Sequence, residues 1–261
     1  MKTYPSTLAN RHNAGFSLVD IMVGMVLSLV GTVIIFQVFA VSEGIKRTTT
    51  GGGDAQQNGA MTLFTIERKL KMAGYGLSSN DAAAGLRIPV QINFGASSSN
   101  PDALQFTSRP TWDYGPFIPN AAVSMVLPAP TIETFSVNNN AQFISDLNGT
   151  YSDGIVLMKA QYGTDSDGNG TISSGEWSFA APTDPMQVLA VRVAIVARSA
   201  QPEKPSAGAT VCNTTTVAPT WAGGTLDLSG NLGLGAGDDW KCYRYKTFEV
   251  TAPLRNVLWT K

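Results

Sequence analysis

From Phe16 to Val41 the chain reads Phe-Ser-Leu-Val-Asp-Ile-Met-Val-Gly-Met-Val-Leu-Ser-Leu-Val-Gly-Thr-Val-Ile-Ile-Phe-Gln-Val-Phe-Ala-Val, with Asp20 as its one charged residue. A helix that is apolar on every side is either enclosed by protein or given to lipid. About 20 apolar residues cross the hydrocarbon core of a bilayer as a helix, and this run is long enough. Charge returns behind it at Glu43, Lys46 and Arg47. In front stands a short polar leader with Lys2 and Arg11. Positive charge on that side predicts a cytoplasmic N-terminus, with the bulk of the chain across the membrane.

A secretory signal places its small-residue cleavage site after the apolar stretch. Here the candidate junction, Gly15-Phe16, precedes it. Cleavage there keeps the apolar helix on the mature protein, starting from a free Phe16 amine. Asp20 lies four residues on, on the same helix face as that amine. A carboxylate at bilayer depth costs roughly 2.5–3.5 kcal/mol on insertion scales. Two readings follow for Asp20. It pairs with an N-terminal amine, or it only complements the positive end of the helix near the membrane surface. Gly24 and Ser28 add a small-xxx-small pair that lets helices approach closely.

Gly15, Phe16, Leu18, Val19 and an acid at the fifth mature position resemble the class III signal of type IV prepilins and type II secretion pseudopilins. That family usually carries Glu at the fifth position; this chain carries Asp20, one methylene shorter. The resemblance implies cleavage after Gly15 by a prepilin peptidase and methylation of Phe16. It also implies that the Asp20 carboxylate meets the N-terminal amine of a neighbouring subunit during assembly. Two further stretches narrow the family. Phe64 to Tyr75, ending in Ala73-Gly74-Tyr75, resembles the end of the first helix in PilW-type minor pilins. The close of the chain, Tyr243–Val250 followed by Leu254-Arg255-Asn256, resembles the last strand and ending of the same family.

The residues beyond Val41 suggest how the rest folds. The helix is expected to continue through Arg47 and to break or melt over Thr48–Gly53, since each Gly costs about 1 kcal/mol relative to Ala in a helix. Asp54 then caps a second stretch. Ala60, Leu63, Ile66, Leu70 and Ala73 recur at helical spacing, with Glu67, Arg68, Lys69 and Lys71 on the other side, and Gly74 ends the helix. From Leu77 on, strands are expected at Arg87–Phe94, Ala103–Thr107, Val123–Leu127, Ile132–Val137, Ile155–Tyr162, Val188–Arg198 and Tyr243–Val250. In Val188–Arg198, Leu189, Val191, Val193 and Ile195 point one way, toward the helix, and Arg192 and Arg198 the other. Residues 201–241 read as a long surface excursion. The expected organisation is a leader (1–15), an apolar membrane or filament-core helix (16–41), an interrupted amphipathic helix (42–76) and a periplasmic β-rich domain (77–261). The fold class is α+β and pilin-like: a long N-terminal helix, hydrophobic then amphipathic, packed on an antiparallel β-sheet domain with long loops.

Composition excludes several functions. With 18 Lys and Arg against 19 Asp and Glu, the net charge is −1, and loss of Lys2 and Arg11 with the leader makes it more negative. No basic face for nucleic acid is expected. The one histidine, His12, sits in the leader. The mature chain therefore has no His base and no His metal ligand, which removes Ser-His-Asp and Cys-His chemistry. No Gly-x-Ser-x-Gly or phosphate-binding Gly loop is present. A carboxylate-pair hydrolase stays open on sequence, and the expectation is no enzyme. Cys212 and Cys242 predict one structural disulfide in an oxidising compartment; a metal pair or reactive thiol is the other reading.

One motif stands apart. Asp165-Ser-Asp-Gly-Asn-Gly-Thr-Ile-Ser-Ser-Gly-Glu176 fits the spacing of a twelve-residue calcium loop. Asp165, Asp167 and Asn169 fill the first, third and fifth positions, Gly170 the sixth, Thr171 a carbonyl position and Glu176 the bidentate last position. Calcium is the cofactor this spacing names. The alternative is a polar hairpin turn, because Asp-Gly and Asn-Gly form turns readily.

Taken with the resemblance, the expected function is structural. The chain is expected to be a minor pilin of a type IV pilus that helps initiate assembly and sits in the tip complex, serving motility, adhesion or DNA uptake. The alternative is a J-type minor pseudopilin of a type II secretion system. Implied partners are the prepilin peptidase, other minor pilins, the major pilin, inner-membrane lipid and a tip adhesin. Trp112, Tyr114 and Trp221 are candidates for an adhesive surface, or for local packing.

Overall fold

Helix α1 runs from Leu18 to Met72. The structure, a computed structural model, describes residues 17–77, 88–109, 130–205, 208–230, 234 and 239–258. The leader, the Gly15-Phe16 junction, the strand expected at Val123–Leu127, and Trp112 and Tyr114 lie outside the described residues. The chain divides into two compact units, Met1–Arg47 and Thr48–Lys261.

In the first unit the large apolar side chains of α1, from Leu18 through Val41 to Ile45, are exposed. Two of its hydroxyls are satisfied within the helix. Ser28 Oγ donates to the Gly24 carbonyl at 2.7 Å and Thr32 Oγ1 to the Ser28 carbonyl at 2.8 Å. This back-bonding pairs each hydroxyl with a carbonyl one turn earlier in the same helix.

In the second unit α1 continues from Thr48 without the expected interruption. Gly51, Gly52 and Gly53 are helical, and Asp54 lies inside the helix rather than capping a new one. Tertiary contact overrides the weak propensity. Gly51 packs so closely that a Cβ there would stand 3.2 Å from Ser199 Cβ, and Thr48 Oγ1 donates to Glu203 Oε1 at 3.3 Å. The buried stripe is Ala55, Gly59, Thr62, Ile66 and Leu70, followed by Ala73. Ala60, expected on that face, is exposed. Gly74 ends the helix at φ +80° and donates its N–H to the Thr107 carbonyl at 2.9 Å.

Two antiparallel sheets pack against this stripe. The first is a meander of β1 (Val90–Asn93), β2 (Ala103–Ser108), β3 (Thr131–Val137), β4 (Gln142–Ser145) and β5 (Gly149–Asp153). The second contains β6 (Ile155–Thr164), β7 (Trp177–Ser178), β8 (Val188–Arg198) and β11 (Tyr245–Pro253), in the order β11-β8-β6-β7. A small hairpin, β9 (Thr220–Trp221) and β10 (Gly224–Thr225), lies in the loop between β8 and β11.

β8 is the central strand. Val193 pairs with Ala160 on one side and Val250 on the other, and Ile195 with Met158 and Phe248. Val191, Val193, Ile195 and Ala197 join the core built with Ile66 and Leu70 of α1 and Phe135 of β3. The opposite face is buried too. Ala194 and Val196 contact a second cluster with Val156, Leu157, Trp221, Leu226 and Leu228. A shift of register between Ile155 and Leu157 puts Val156 and Leu157 on this same side, as a bulge does. The expectation of a surface excursion over 201–241 is therefore corrected: this stretch folds back and covers the second face of the sheet.

Polar anchors join the layers. Buried Asp102 accepts hydrogen bonds from Gly95 N–H (3.0 Å), Ala160 N–H (2.9 Å) and Lys159 Nζ (3.0 Å). Tyr162 Oη accepts from Ile92 N–H at 2.5 Å. Glu133 on β3 pairs with Lys69 of α1 and accepts from Ser145 Oγ and Asn148 Nδ2, each at 2.7 Å. Burial alone would raise the Glu133 carboxyl. The bonds from Lys69, Ser145 and Asn148 outweigh it and hold the group below the usual carboxylate range.

Two outcomes follow from this packing. A Cβ on Gly59 would overlap the Phe248 ring, whereas Gly53 has open space around its Cβ position. Replacing Gly by Ala gains up to about 1 kcal/mol of helix propensity, while overpacking costs about 1–3 kcal/mol. Gly53→Ala is thus expected to raise the urea midpoint and Gly59→Ala to lower it; movement in the same direction would refute the contact. Second, a depressed carboxyl stabilises the fold above its unfolded-state value and loses that contribution as pH falls through the folded one. Wild-type stability is expected to drop on acidification below the usual carboxylate range, and Glu133→Gln to flatten that slope in pH-dependent urea melts.

Candidate functional site

Three regions carry chemistry beyond packing. The first is the start of α1. Ser17 N–H donates to Asp20 Oδ2 at 3.2 Å, and Val19 N–H donates to Ser17 Oγ at 3.3 Å. The carboxylate lies over the first turn, where unpaired backbone N–H groups give the helix its positive end. Asp20 is the one acid in a segment that is otherwise apolar. Gly15 and Phe16 lie outside the described residues, so the amine that Asp20 is expected to meet is not among them.

The second region is the loop between β6 and β7. Asp165 opens it, anchored by its N–H to the Gln187 carbonyl at 3.1 Å. Its Oδ2 accepts from Gly170 N–H at 3.1 Å. Gly168 and Gly170 take φ +75° and +80°, a conformation open to Gly at little cost. Asp167 accepts from the Asn169 N–H and side-chain amide, at 3.1 and 2.7 Å. Asn169 Oδ1 accepts from the N–H and hydroxyl of Thr171, at 2.7 and 2.5 Å. Glu176 closes the loop. Its carboxylate accepts from Ser166 Oγ (2.6 Å), Ser166 N–H (2.8 Å) and Ser173 N–H (2.8 Å). These bonds, Ser166 first, bring its carboxyl down to about 2. One carboxylate oxygen from each of Asp165, Asp167 and Glu176 lies within 4.8 Å of the others. The structure brings these three expected ligands together, while Asn169 and Thr171 bond to each other.

The third region is the cover over the second face of β8. Cys212 and Cys242 form a disulfide, as the sequence predicts. Polar contacts surround it. Glu203 N–H donates to the Cys242 carbonyl at 2.7 Å and Thr215 N–H to the Lys241 carbonyl at 3.1 Å. Thr215 Oγ1 donates to the Tyr243 carbonyl at 2.5 Å. Glu203 also pairs with Arg244, whose guanidinium holds the Glu203 carboxyl low.

Sequence reasoning missed an aromatic array. The Arg192 guanidinium lies between the rings of Trp177 (4.5 Å) and Trp221 (5.6 Å) and donates to Gln161 Oε1 at 2.6 Å. Phe179 stands edge-on to Trp221 and to Phe94, each at 6.3 Å. Phe94, Phe179 and Trp221 wall a cavity of about 400 Å³ beside the Asp102–Lys159 pair. The visible signal was Arg192 itself, a cation in the middle of an apolar strand, which needs a partner when half-buried. Trp221, a candidate adhesive aromatic, is buried and serves packing.

The disulfide closes a loop of 30 residues that covers apolar side chains, and such a crosslink contributes about 2–4 kcal/mol. Cys212→Ser with Cys242→Ser is expected to lower unfolding free energy by that order. Dithiothreitol is expected to destabilise the wild type and leave the double variant unmoved. Equal urea midpoints for the two proteins would refute the role.

Residues 134–256 match a family described as Type IV Pilus-assembly protein W. The matched span starts within β3 and runs through the acidic loop, β8, both cysteines and β11. The structure is similar to that of the type IV-like pilin TTHA1219 from Thermus thermophilus, at 14% sequence identity and a TM-score of 0.40, covering 76% of this chain and 95% of that one. No curated protein matches the chain. The similarity to the pilus-assembly family thus covers residues 134–256, which hold the central strand, its cover and the last strand.

Proposed function

We propose that this chain is a minor pilin of a type IV pilus. The observation that carries the reading is the union in one chain of a PilW-matching domain with a helix whose apolar residues from Leu18 to Val41 are exposed on all sides. Such a helix needs lipid before assembly and other helices after it. In the membrane it is a single-pass anchor in the bacterial inner membrane, with the β-rich domain in the periplasm. The prepilin peptidase cleaves after Gly15 and Phe16 is methylated. In the fibre the same helix packs among those of other minor pilins and the major pilin, in the complex that initiates assembly and stands at the tip, where an adhesin is a further partner.

Asp20 has the decisive role in this scheme. Moving an apolar helix from lipid into a helical bundle brings little hydrophobic gain, because lipid tails are as apolar as Leu. Close packing and charge pairing decide the docking. A carboxylate in an apolar surround attracts an ammonium strongly, since screening by water is absent. Asp20 meeting the Phe16 amine of a neighbour neutralises both and sets the axial register. The Asp20 bond to Ser17 N–H supports the reading, since it leaves the carboxylate at the end of the helix where such an amine arrives.

The test is a clean deletion, scored for sheared surface pili and for secreted hydrolases in the same cultures. Lost pili with intact secretion is the expected result. Complementation with Asp20→Glu is expected to restore pili and with Asp20→Ala to fail. Lost secretion with normal pili would overturn the proposal in favour of a pseudopilin, and full rescue by Asp20→Ala would overturn the role of the acid.

A further inference from the structure

We propose that the loop from Asp165 to Glu176 is a calcium site that fixes β7 and the ring of Trp177. The proposal is independent of the assembly reading.

Two observations converge on an ion. The first is the convergence of three carboxylates, with oxygens within 4.8 Å of one another. Like charges at this range repel unless a cation lies among them. The second is Asp165. The residue is only 6% exposed. Oδ2 is used by Gly170 N–H, but Oδ1 is buried and receives no hydrogen bond. A buried carboxylate oxygen without a donor is costly, and a metal ion supplies what the protein does not.

The donor set selects the ion. Asp165, Asp167, Asn169, Thr171 and Glu176 offer only carboxylate, amide and carbonyl oxygen. Such hard oxygen donors suit calcium, magnesium or manganese and not zinc or copper. Calcium accepts six to eight oxygens in flexible geometry, whereas magnesium demands a tight octahedron and keeps its waters. A glycine-rich loop with its first, third, fifth and last positions filled by acids or amide fits the former. Binding exchanges local bonds for ligand bonds: Glu176 turns from Ser166 and Ser173, and Asn169 Oδ1 from Thr171.

The consequence lies next to the last ligand. Trp177 follows Glu176 directly and belongs to a two-residue edge strand, paired with β6 through Gly163 and Tyr162. A Cβ on Gly163 would stand 2.7 Å from Ile172 and 2.8 Å from the Trp177 ring, so loop and strand close over this glycine together. Trp177 in turn stacks on Arg192. The flanks are strands, so the ion acts as a fixed clamp and not as an opening helix pair.

Terbium, which occupies calcium sites, is the probe. The full-length protein in detergent micelles is titrated with terbium under tryptophan excitation, because Trp177 beside the loop sensitises bound terbium. Saturable emission is expected, displaced by calcium and at least tenfold less well by magnesium. Asp167→Ala removes an exposed ligand whose hydrogen bonds, among the described residues, run to the neighbouring Asn169 within the loop, so the fold is kept. It is expected to weaken terbium binding at least tenfold with an unchanged far-ultraviolet circular dichroism spectrum. Asp165→Asn, which keeps an oxygen for the Gly170 N–H, is expected to do the same. Absent emission would overturn the proposal, as would emission indifferent to both variants, or equal displacement by magnesium. Calorimetry with calcium alone is expected to give heat in the wild type and none in Asp167→Ala.

Discussion

Burial of both faces of the β6–β8 pair is the constraint on which the domain depends. A strand such as Val188–Arg198, apolar at nearly every position, cannot leave either side to water. One side is closed by α1 and the meander, with Ile66, Leu70 and Phe135 in contact with the odd-numbered positions of β8. The other is closed by a segment with little regular structure, which contributes Trp221, Leu226 and Leu228. A loop is a poor cover on its own, because its backbone polar groups must be satisfied and its entropy is high. The disulfide and the contacts of Glu203 and Thr215 restrict it. The charges that enter this apolar region, Asp102, Glu133 and Arg192, are each met by an opposite charge, hydrogen bonds or an aromatic face.

The two parts of α1 follow opposite rules within one element. From Leu18 to Val41 the helix is apolar all round and exposed. From Ala55 to Leu70 it is amphipathic, with a narrow buried stripe that includes Gly59. Glycine there lets the Phe248 ring of β11 sit directly on the helix backbone. Gly51 does the same for Ser199 at closer to ordinary contact distance. Glycines that argue against a helix in isolation are here places where another element needs room.

That distinction explains which parts of the fold were legible in the sequence. The apolar run, the helix end at Gly74 and the strands β2, β3, β6, β8 and β11 follow from periodicity and β-branched content, and the structure places them close to the expected bounds. The disulfide follows from cysteine number and compartment. The helical Gly51–Gly53 segment was not legible, because its stability comes from Ser199 and Glu203, far away in sequence. β4 and β5 are short and polar, with a turn at Ala141 in the left-handed region that no propensity indicates. The cover over β8 reads as a loop because it is one; its apolar residues are too scattered to show periodicity. In the acidic loop, the spacing of Asp165, Asp167 and Glu176 named the carboxylates that converge, but not the bonds that hold Asn169 to Thr171.

The position of β11 has a consequence for the order in which the molecule is made. Its pairing with β8 and its seat on Gly59 join residues far apart in sequence, the strand from Tyr245 to Pro253 and the first helix. Helix and central strand therefore wait, with apolar faces open, until β11 has been synthesised. Contacts of such long sequence separation slow folding, and a chain produced from its N-terminus exposes the unfinished core throughout. A protein with this topology has a long interval in which its helix is present and its domain is not, and whatever holds the helix during that interval acts before the domain exists.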